Sequence, residues 1–567
     1  MRRNAIAVAL ALGFAAAPGL SQAALDCAAL TSVTSEASTI TSATSVAPGT
    51  VINGNTVSVP MCRVQGVATP SYDSEIKFEV WLPTAAAWTG RMKVNGTGGY
   101  AGATPYARLA QDIGDGFVTA GSNMGHDGGE SATWTLNHPE KVKDWGLRAH
   151  YYVATAAKTL SVAYYDHPVA HSYFEGCSNG GRQAMMMAQN YPELFDGIVA
   201  GAPSMFYPDI LFWLTYTGKT LTPVLGQPAA ISAAKRTLIT ERVLQKCDAI
   251  DGLIDGQITN PRACSFDIDT MGPSGDGSLT AQEVATVKAM YGGTRNEVTG
   301  EQRYSGAKFG SEANFDPNFA DNGGYGVFIG HYVYSTNDWT PANWRDKINF
   351  SSIYDHTKEV ISPVTAAPSP DIRAFTRRGG KIIHYHGWND SVVPPDGSVA
   401  YLYALNVFEW LRYLPDWLAD REVEHLSPPL VAASALVFGR HVQQYHRLFM
   451  LPAVSHCGGG TGPNQVGGGA PEPAAALRDA DHHVVSAVIK WVEQGVAPQK
   501  IIATRADGRQ RPVCPYPAQA AYDGSGDIND PSNFRCVAPK HPEQITSTDI
   551  LLIRNSLRQR DLKLPNR

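Results

Sequence analysis

The residues best equipped for chemistry lie in Phe174-Glu175-Gly176-Cys177-Ser178-Asn179-Gly180-Gly181-Arg182. Gly176-x-Ser178-x-Gly180 is the pattern of a nucleophile elbow, where a strand turns sharply into a helix and the serine hydroxyl stands clear of the sheet edge. The flanking glycines remove side chains that would collide in so tight a turn. A serine hydroxyl is a poor nucleophile at neutral pH, so it needs a base, and the base needs an orienting acid. In an elbow of this kind they follow the serine in the order acid, then histidine, each just after a strand. Asp390, in Gly387-Trp388-Asn389-Asp390, and His456, in Val454-Ser455-His456-Cys457-Gly458, hold those places. His384 and His386 compete as bases, but both fall within a strand, where lining the sheet suits them better. The expected donors to an oxyanion are the N–H of Asn179 and one from Asn95-Gly96-Thr97-Gly98-Gly99-Tyr100, with Gly99 favoured over Gly98. The alternative for that loop is a glycine-rich turn that only lets backbones pass closely.

These residues need a scaffold that brings distant strand ends together. Residues 169–174 read as a buried strand and 183–191, with Met185, Met186 and Met187, as a helix. Ile76–Pro83, Arg91–Asn95 and residues 195–201 read as further strands, and 147–160 as a helix. That alternation is the βαβ rhythm of a parallel sheet covered by helices, so the fold class is α/β. The rhythm stops near Ser204 and resumes at Lys381–Gly387, at residues 447–451, and in a helix carrying Val484, Val485, Val488, Ile489 and Val492. Three parts are expected: residues 24–204 and 376–567 as the two halves of the core, and 205–375 as an inserted, aromatic-rich lid. Insertions there rise from the strand ends that carry the site. Residues 24–66, rich in Ser, Thr and Val, read as a small all-β lead-in.

Residues 1–23 combine Met1-Arg2-Arg3, an apolar run and Ser21-Gln22-Ala23, the marks of a secretory signal peptide, so the mature protein is expected to be secreted or periplasmic. A net charge of -6 with no basic stripe argues against nucleic acid as a partner. No later stretch is long and apolar enough to span a membrane. The eight cysteines suggest disulfides in an oxidising compartment, but eight allow about 105 pairings and connectivity stays open. Local proximity favours Cys27–Cys62, Cys247–Cys264 and Cys514–Cys536, which leaves Cys177 and Cys457 for each other. That last bridge demands that the serine and histidine loops touch. A cysteine metal site is the alternative, without any C-x-x-C pair to support it.

Asp248-Ala249-Ile250-Asp251-Gly252-Leu253-Ile254-Asp255-Gly256-Gln257 is a second constellation. Carboxylates three and four residues apart with interleaved glycines make a tight loop of oxygen donors, the set that Ca²⁺ prefers, and carbonyls of Leu253 and Gln257 would complete it. It departs from the EF-hand pattern, and a solvated acidic turn is the alternative.

Gly176-Cys177-Ser178-x-Gly180-Gly181, Gly387-x-x-Asp390 and His456-Cys457-Gly458-Gly459-Gly460 together resemble the tannase and feruloyl esterase family, from about Cys27 to Cys536. Cys514-Pro515-Tyr516-Pro517 and Gly524-Ser525-Gly526-Asp527 look like the same family. The resemblance implies an α/β-hydrolase fold with a large inserted lid domain and a bridge between Cys177 and Cys457. It also implies a structural calcium in the lid on Asp248, Asp251, Leu253, Asp255 and Gln257, closed by Cys247–Cys264. The implied activity is a secreted serine esterase acting on a small ester of an aromatic acid: a hydroxycinnamate, a gallate or a terephthalate monoester. A serine peptidase would use the same triad. A binding protein on the same scaffold would be expected to have lost part of it. The stretch between Asp390 and His456, with Trp410, Tyr413 and Trp417, is longer than a minimal family member requires.

Overall fold

The computed structural model describes residues 24–129, 131–539 and 544–559, so the expected signal peptide lies outside the described residues. A nine-stranded sheet runs through the centre. Its strands are β1 (Ser38–Val46), β2 (Met61–Ala68), β3 (Ile76–Pro83), β4 (Arg91–Asn95), β5 (Val118–Ser122), β6 (His171–Cys177), β7 (Gly197–Gly201), β8 (Lys381–Gly387) and β9 (His446–Leu451). Their order across the sheet is β1-β2-β3-β5-β4-β6-β7-β8-β9. The first three strands pair antiparallel with one another, and β3 with β5. From β5 to β9 every pairing is parallel. This is an α/β-hydrolase fold. Chain order reverses between β4 and β6, and that switch point is where open α/β sheets bind ligands, beyond the carboxyl ends of the strands.

Residues 24–66 form the expected β-rich start of the core: β1 and β2 join the main sheet, with Val64 opposite Val80, and Cys27 is bridged to Cys62 in β2. Within this stretch Asn55–Thr56 pairs with Val51–Ile52 in a small hairpin.

The parallel strands are covered on both sides, which is why they read as apolar runs rather than alternating ones. Every residue of β5, β7 and β9 is buried. Helix α1 (Ala149–Tyr165) packs on one face and ends at Asp166 in the left-handed region, φ 62°. Helix α2 (Asn179–Asn190) begins directly after Ser178. After β7 the chain leaves the sheet through α3 (Tyr207–Leu221), buried along most of its length, and returns only at Lys381. Between β8 and β9 stand α4 (Asp396–Leu411), α5 (Asp416–Glu424) and α6 (Pro428–Val442). They account for the long stretch before His456. Helix α7 (Val484–Gln494) lays Val484, Val485, Ala487, Val488 and Trp491 against the opposite face. Each of the three valines contributes about 1.5–3 kcal/mol on burial. All four expected disulfides form, with Cα atoms 5.6, 5.9, 5.5 and 5.7 Å apart.

Candidate active site

Ser178 sits between the end of β6 and the start of α2 at φ 63°, ψ -123°. Glycine supplies the room: a Cβ on Gly176 would lie 2.7 Å from the Gly180 backbone, and one on Gly96 would lie 2.8 Å from Gly180 Cα. The turn is held by the Ser178 N–H on the Gly201 carbonyl, 3.0 Å, and by its own carbonyl, which accepts from Arg182 at 3.0 Å and Ser204 at 3.2 Å.

The three expected side chains meet. Ser178 Oγ lies 2.8 Å from His456 Nε2, and His456 Nδ1 lies 2.7 Å from Asp390 Oδ2. Asp390 is fully buried, and its Oδ1 accepts from the N–H groups of Val392 and Val393 at 2.9 and 2.8 Å. Burial alone would raise this carboxyl, but His456 and His386 outweigh it and hold the group below the usual carboxylate range. An anionic oxygen 2.7 Å from Nδ1 requires the proton there, leaving the Nε2 lone pair to face the serine hydroxyl. The bridge between Cys177 and Cys457 joins the residues beside Ser178 and His456.

Around Ser178 opens a cavity of about 310 Å³, lined among others by Gly98, Gly99, Arg108, Phe319, Tyr325 and Gly469. Asn179 is the first residue of α2, so its N–H has no acceptor within the helix. The loop from Gly96 to Tyr100 is pinned at each step. Gly96 donates to the Glu175 carbonyl, 2.8 Å, and Thr97 N–H to Gln183 Oε1, 3.0 Å. The Thr97 carbonyl accepts from Asn179 Nδ2, and that of Gly99 from Trp145 Nε1 at 3.2 Å. Gly99 stands at φ 52°. Gly98 lines the same cavity, so the structure leaves both glycines beside the hydroxyl.

Some contributors were not visible as motifs. Phe319, from the insertion, stacks on Tyr325 at 5.9 Å between centroids, and Tyr325 stands 5.5 Å from Tyr100. Gly467, Gly468 and Gly469 all have positive φ, and a Cβ on Gly469 would lie 2.7 Å from Cys177 N. Three consecutive glycines were the available signal. Arg108 reaches the cavity wall while paired to Glu472 at 2.5 Å. His386, set aside as sheet lining, lies 3.1 Å from Asp390.

The acidic loop folds on itself. Asp248 accepts N–H groups of Asp255, Gly256 and Gln257, Asp251 accepts from Leu253 and Thr259, and Asp255 pairs with Arg511. Among the described residues no three His, Cys, Asp or Glu side chains converge as a finished metal cage. In kind the donors suit a hard cation. Burial, with repulsion from the neighbouring carboxylates adding to it, raises Asp251 and Asp255, and Gln257 Oε1 is buried without a partner.

Residues 62–537 match the tannase and feruloyl esterase family. The chain is similar to an uncharacterized esterase of Xanthomonas campestris pv. campestris, 35% identical over 545 residues that cover 90% of this chain and 91% of the relative. It is similar to a probable feruloyl esterase B-2 of Aspergillus terreus, 29% identical over 506 residues, covering 85% and 87%. Among solved structures it is similar to feruloyl esterase B from Aspergillus oryzae, with a TM-score of 0.74 and 26% identity over 90% of this chain and 99% of that one. With the family matched across most of the chain and the fold shared with a solved feruloyl esterase, this protein belongs to the tannase and feruloyl esterase family and is a carboxylic ester hydrolase.

Proposed function

We propose that the chain is an exported serine esterase that cleaves esters of aromatic acids through an acyl-enzyme. The observation that carries this is the unbroken relay from Ser178 through His456 to Asp390, opening into a cavity walled by Phe319 and Tyr325. His456 Nε2 takes the hydroxyl proton as Ser178 Oγ attacks the ester carbonyl, and Asp390 stabilises the imidazolium that forms. The N–H groups of Asn179 and Gly99 are the proposed oxyanion donors. His456 then passes its proton to the leaving alcohol. A water activated by the same imidazole attacks the acyl-enzyme, and the acid departs. The insertion acts as a lid, its aromatic faces stacking on the acyl ring.

The acidic loop is the proposed place for a structural calcium on Asp248, Asp251, Asp255 and the carbonyls of Leu253 and Gln257. There the ion would tie Cys247–Cys264 and the surrounding insertion together. Export is supported by the pairing of every cysteine.

The test is an initial-rate panel of methyl ferulate, methyl gallate, mono(2-hydroxyethyl) terephthalate and a short aliphatic ester, wild type beside Ser178→Ala. One aromatic ester standing well above the rest, with the variant inactive, is the expected outcome. Turnover retained by a folded Ser178→Ala protein would remove Ser178 as nucleophile. Preference for the aliphatic ester would remove the aromatic assignment.

A further inference from the structure

Asp390 has two histidines, and the second is the start of a longer chain. His386 Nε2 lies 3.1 Å from Asp390 Oδ2, the same oxygen that holds His456, and 2.9 Å from the Val393 carbonyl. Both are acceptors with no hydrogen to give, so the His386 proton sits on Nε2. Its Nδ1 is then a lone pair, and it lies 2.6 Å from Ser398 Oγ, which donates to it. That hydroxyl accepts in turn from His384 Nε2 at 2.8 Å. His384 Nδ1 accepts from His446 Nε2 at 3.3 Å. Every link runs the same way, toward Asp390.

The sequence builds this from three elements. His384 and His386 are two apart on β8 and so share one face of the sheet. His446 opens the neighbouring strand β9, opposite Ile382, and Ser398 lies in the first turn of α4. All three imidazoles are fully buried. Burial holds His384 well below its ordinary value and His446 down at about 3, so both stay neutral. The direction of the chain is set by the two acceptors on His386 Nε2 and the single hydrogen of Ser398. Asp396 also feels His386, and it is paired with Lys308 and further balanced by Arg262.

We propose that His386 is a positioning residue for the esterase reaction, its Nε2–H fixing the Asp390 carboxylate through the oxygen shared with His456, with Ser398, His384 and His446 locking its tautomer. Without it, Oδ2 keeps one donor of two and the carboxylate is free to turn about its Oδ1 contacts. The His386 bond also draws charge away from Oδ2. Its loss leaves more negative charge on the Oδ2 that faces His456, so the imidazolium formed in the reaction is held more tightly.

This rests on Asp390 being the acid of the triad, so Asp390→Asn is measured beside the His386 variants. Removing a hydrogen bond to a charged group costs about tenfold or more in rate. His386→Leu is expected to lower kcat by about that factor and leave KM unchanged, because acylation and deacylation use the same His456–Asp390 pair. The acid limb of its kcat/KM profile is expected to move to higher pH, whereas simple loosening of the site would move it lower. His386→Gln, whose amide N–H reaches the Nε2 position, is expected to recover most of the rate.

A folded His386→Leu enzyme with wild-type kcat and pH limb overturns the inference, as does a Gln variant no better than Leu. If Asp390→Asn is itself active, the triad reading falls instead. Should the variants not fold, histidine ¹⁵N spectra of the wild-type protein decide. A neutral ring protonated at Nε2, with its Nδ1 signal moved by Ser398→Ala, supports the assignment, and a ring protonated at Nδ1 refutes it.

Discussion

Replacing Asp390 by Asn exchanges one oxygen for an NH₂ group and reverses the logic of the site. The carboxylate accepts four hydrogen bonds: on Oδ1 from Val392 and Val393 N–H at 2.9 and 2.8 Å, and on Oδ2 from His456 at 2.7 Å and His386 at 3.1 Å. Backbone N–H groups cannot turn, so the amide oxygen must face them and the NH₂ must face both imidazoles. His456 then meets a donor and shifts its proton to Nε2, aimed at the Ser178 hydroxyl it should deprotonate. Restoring the productive tautomer leaves a buried Nδ1–H unpaired, at about 1–3 kcal/mol, and the imidazolium loses a charge-assisted bond of about 1.5–3 kcal/mol. Together these amount to about 10²- to 10⁴-fold in kcat, at about 1.36 kcal/mol per decade. The assay is steady-state hydrolysis of the best ester of the panel at pH 7, with thermal melting to show that the variant is folded. A folded Asp390→Asn enzyme within tenfold of wild type would refute the tautomer argument and the role of Asp390 with it.

Three further outcomes are expected. The double variant Cys177→Ala/Cys457→Ala opens a loop of sequence separation 280, which chain entropy values at up to about 5 kcal/mol; urea unfolding should show a loss of up to that size, and kcat should fall by about 100-fold as the two loops drift apart. Glu472 is buried, which raises it, but His483 and then Arg108 and Lys93 outweigh burial and bring it down to about 2. A depressed acid contributes stability above its unfolded value, near 4.5, and loses it as pH falls toward 2. Glu472→Gln should therefore cost about 3 kcal/mol at pH 7, with the difference from wild type fading across that window in denaturant titrations. Chelation should lower the melting temperature by several degrees and calcium should restore it. Unchanged melting together with an absence of calcium by elemental analysis would dismiss the acidic loop as a metal site.

What could be read in the sequence was whatever is local. The elbow, the acid and the histidine each sit in a short motif directly after a strand, and chain order ties them together, so Ser178, Asp390 and His456 were legible before their distances were known. The three short disulfides were legible because close cysteines rarely have far to reach, and the long one followed as the remaining pair, beside Ser178 and His456. His386 was not legible. Alternation along β8 says that His384 and His386 share a face, but what lies behind that face is α4 and β9, which reach it only through the folded topology. Phe319 and Tyr325 share that difficulty, because each opens a helix of only four residues, too short to carry a period from which to infer which aromatics reach the cavity.

The backbone around the site shows why so many constraints converge there. Ser178, Ala202, Ala453 and Cys457 are all non-glycine residues with positive φ, at 63°, 34°, 53° and 54°, and they stand in the turns after β6, β7 and β9. Such conformations cost of order 1–3 kcal/mol each and persist only where the surroundings over-determine them. For Ser178 the surroundings are the hydrogen bonds to Gly201, Ser204 and Arg182, the close pass of Gly469, and the bridge to Cys457. Cutting the bridge therefore removes a clasp from two strained turns at once while leaving every triad residue in the chain. A large drop in kcat with little change in KM would locate the bridge's contribution in the alignment of Ser178 with His456. A drop in stability alone, with kcat intact, would show that the hydrogen bonds and glycine contacts suffice to hold the two turns.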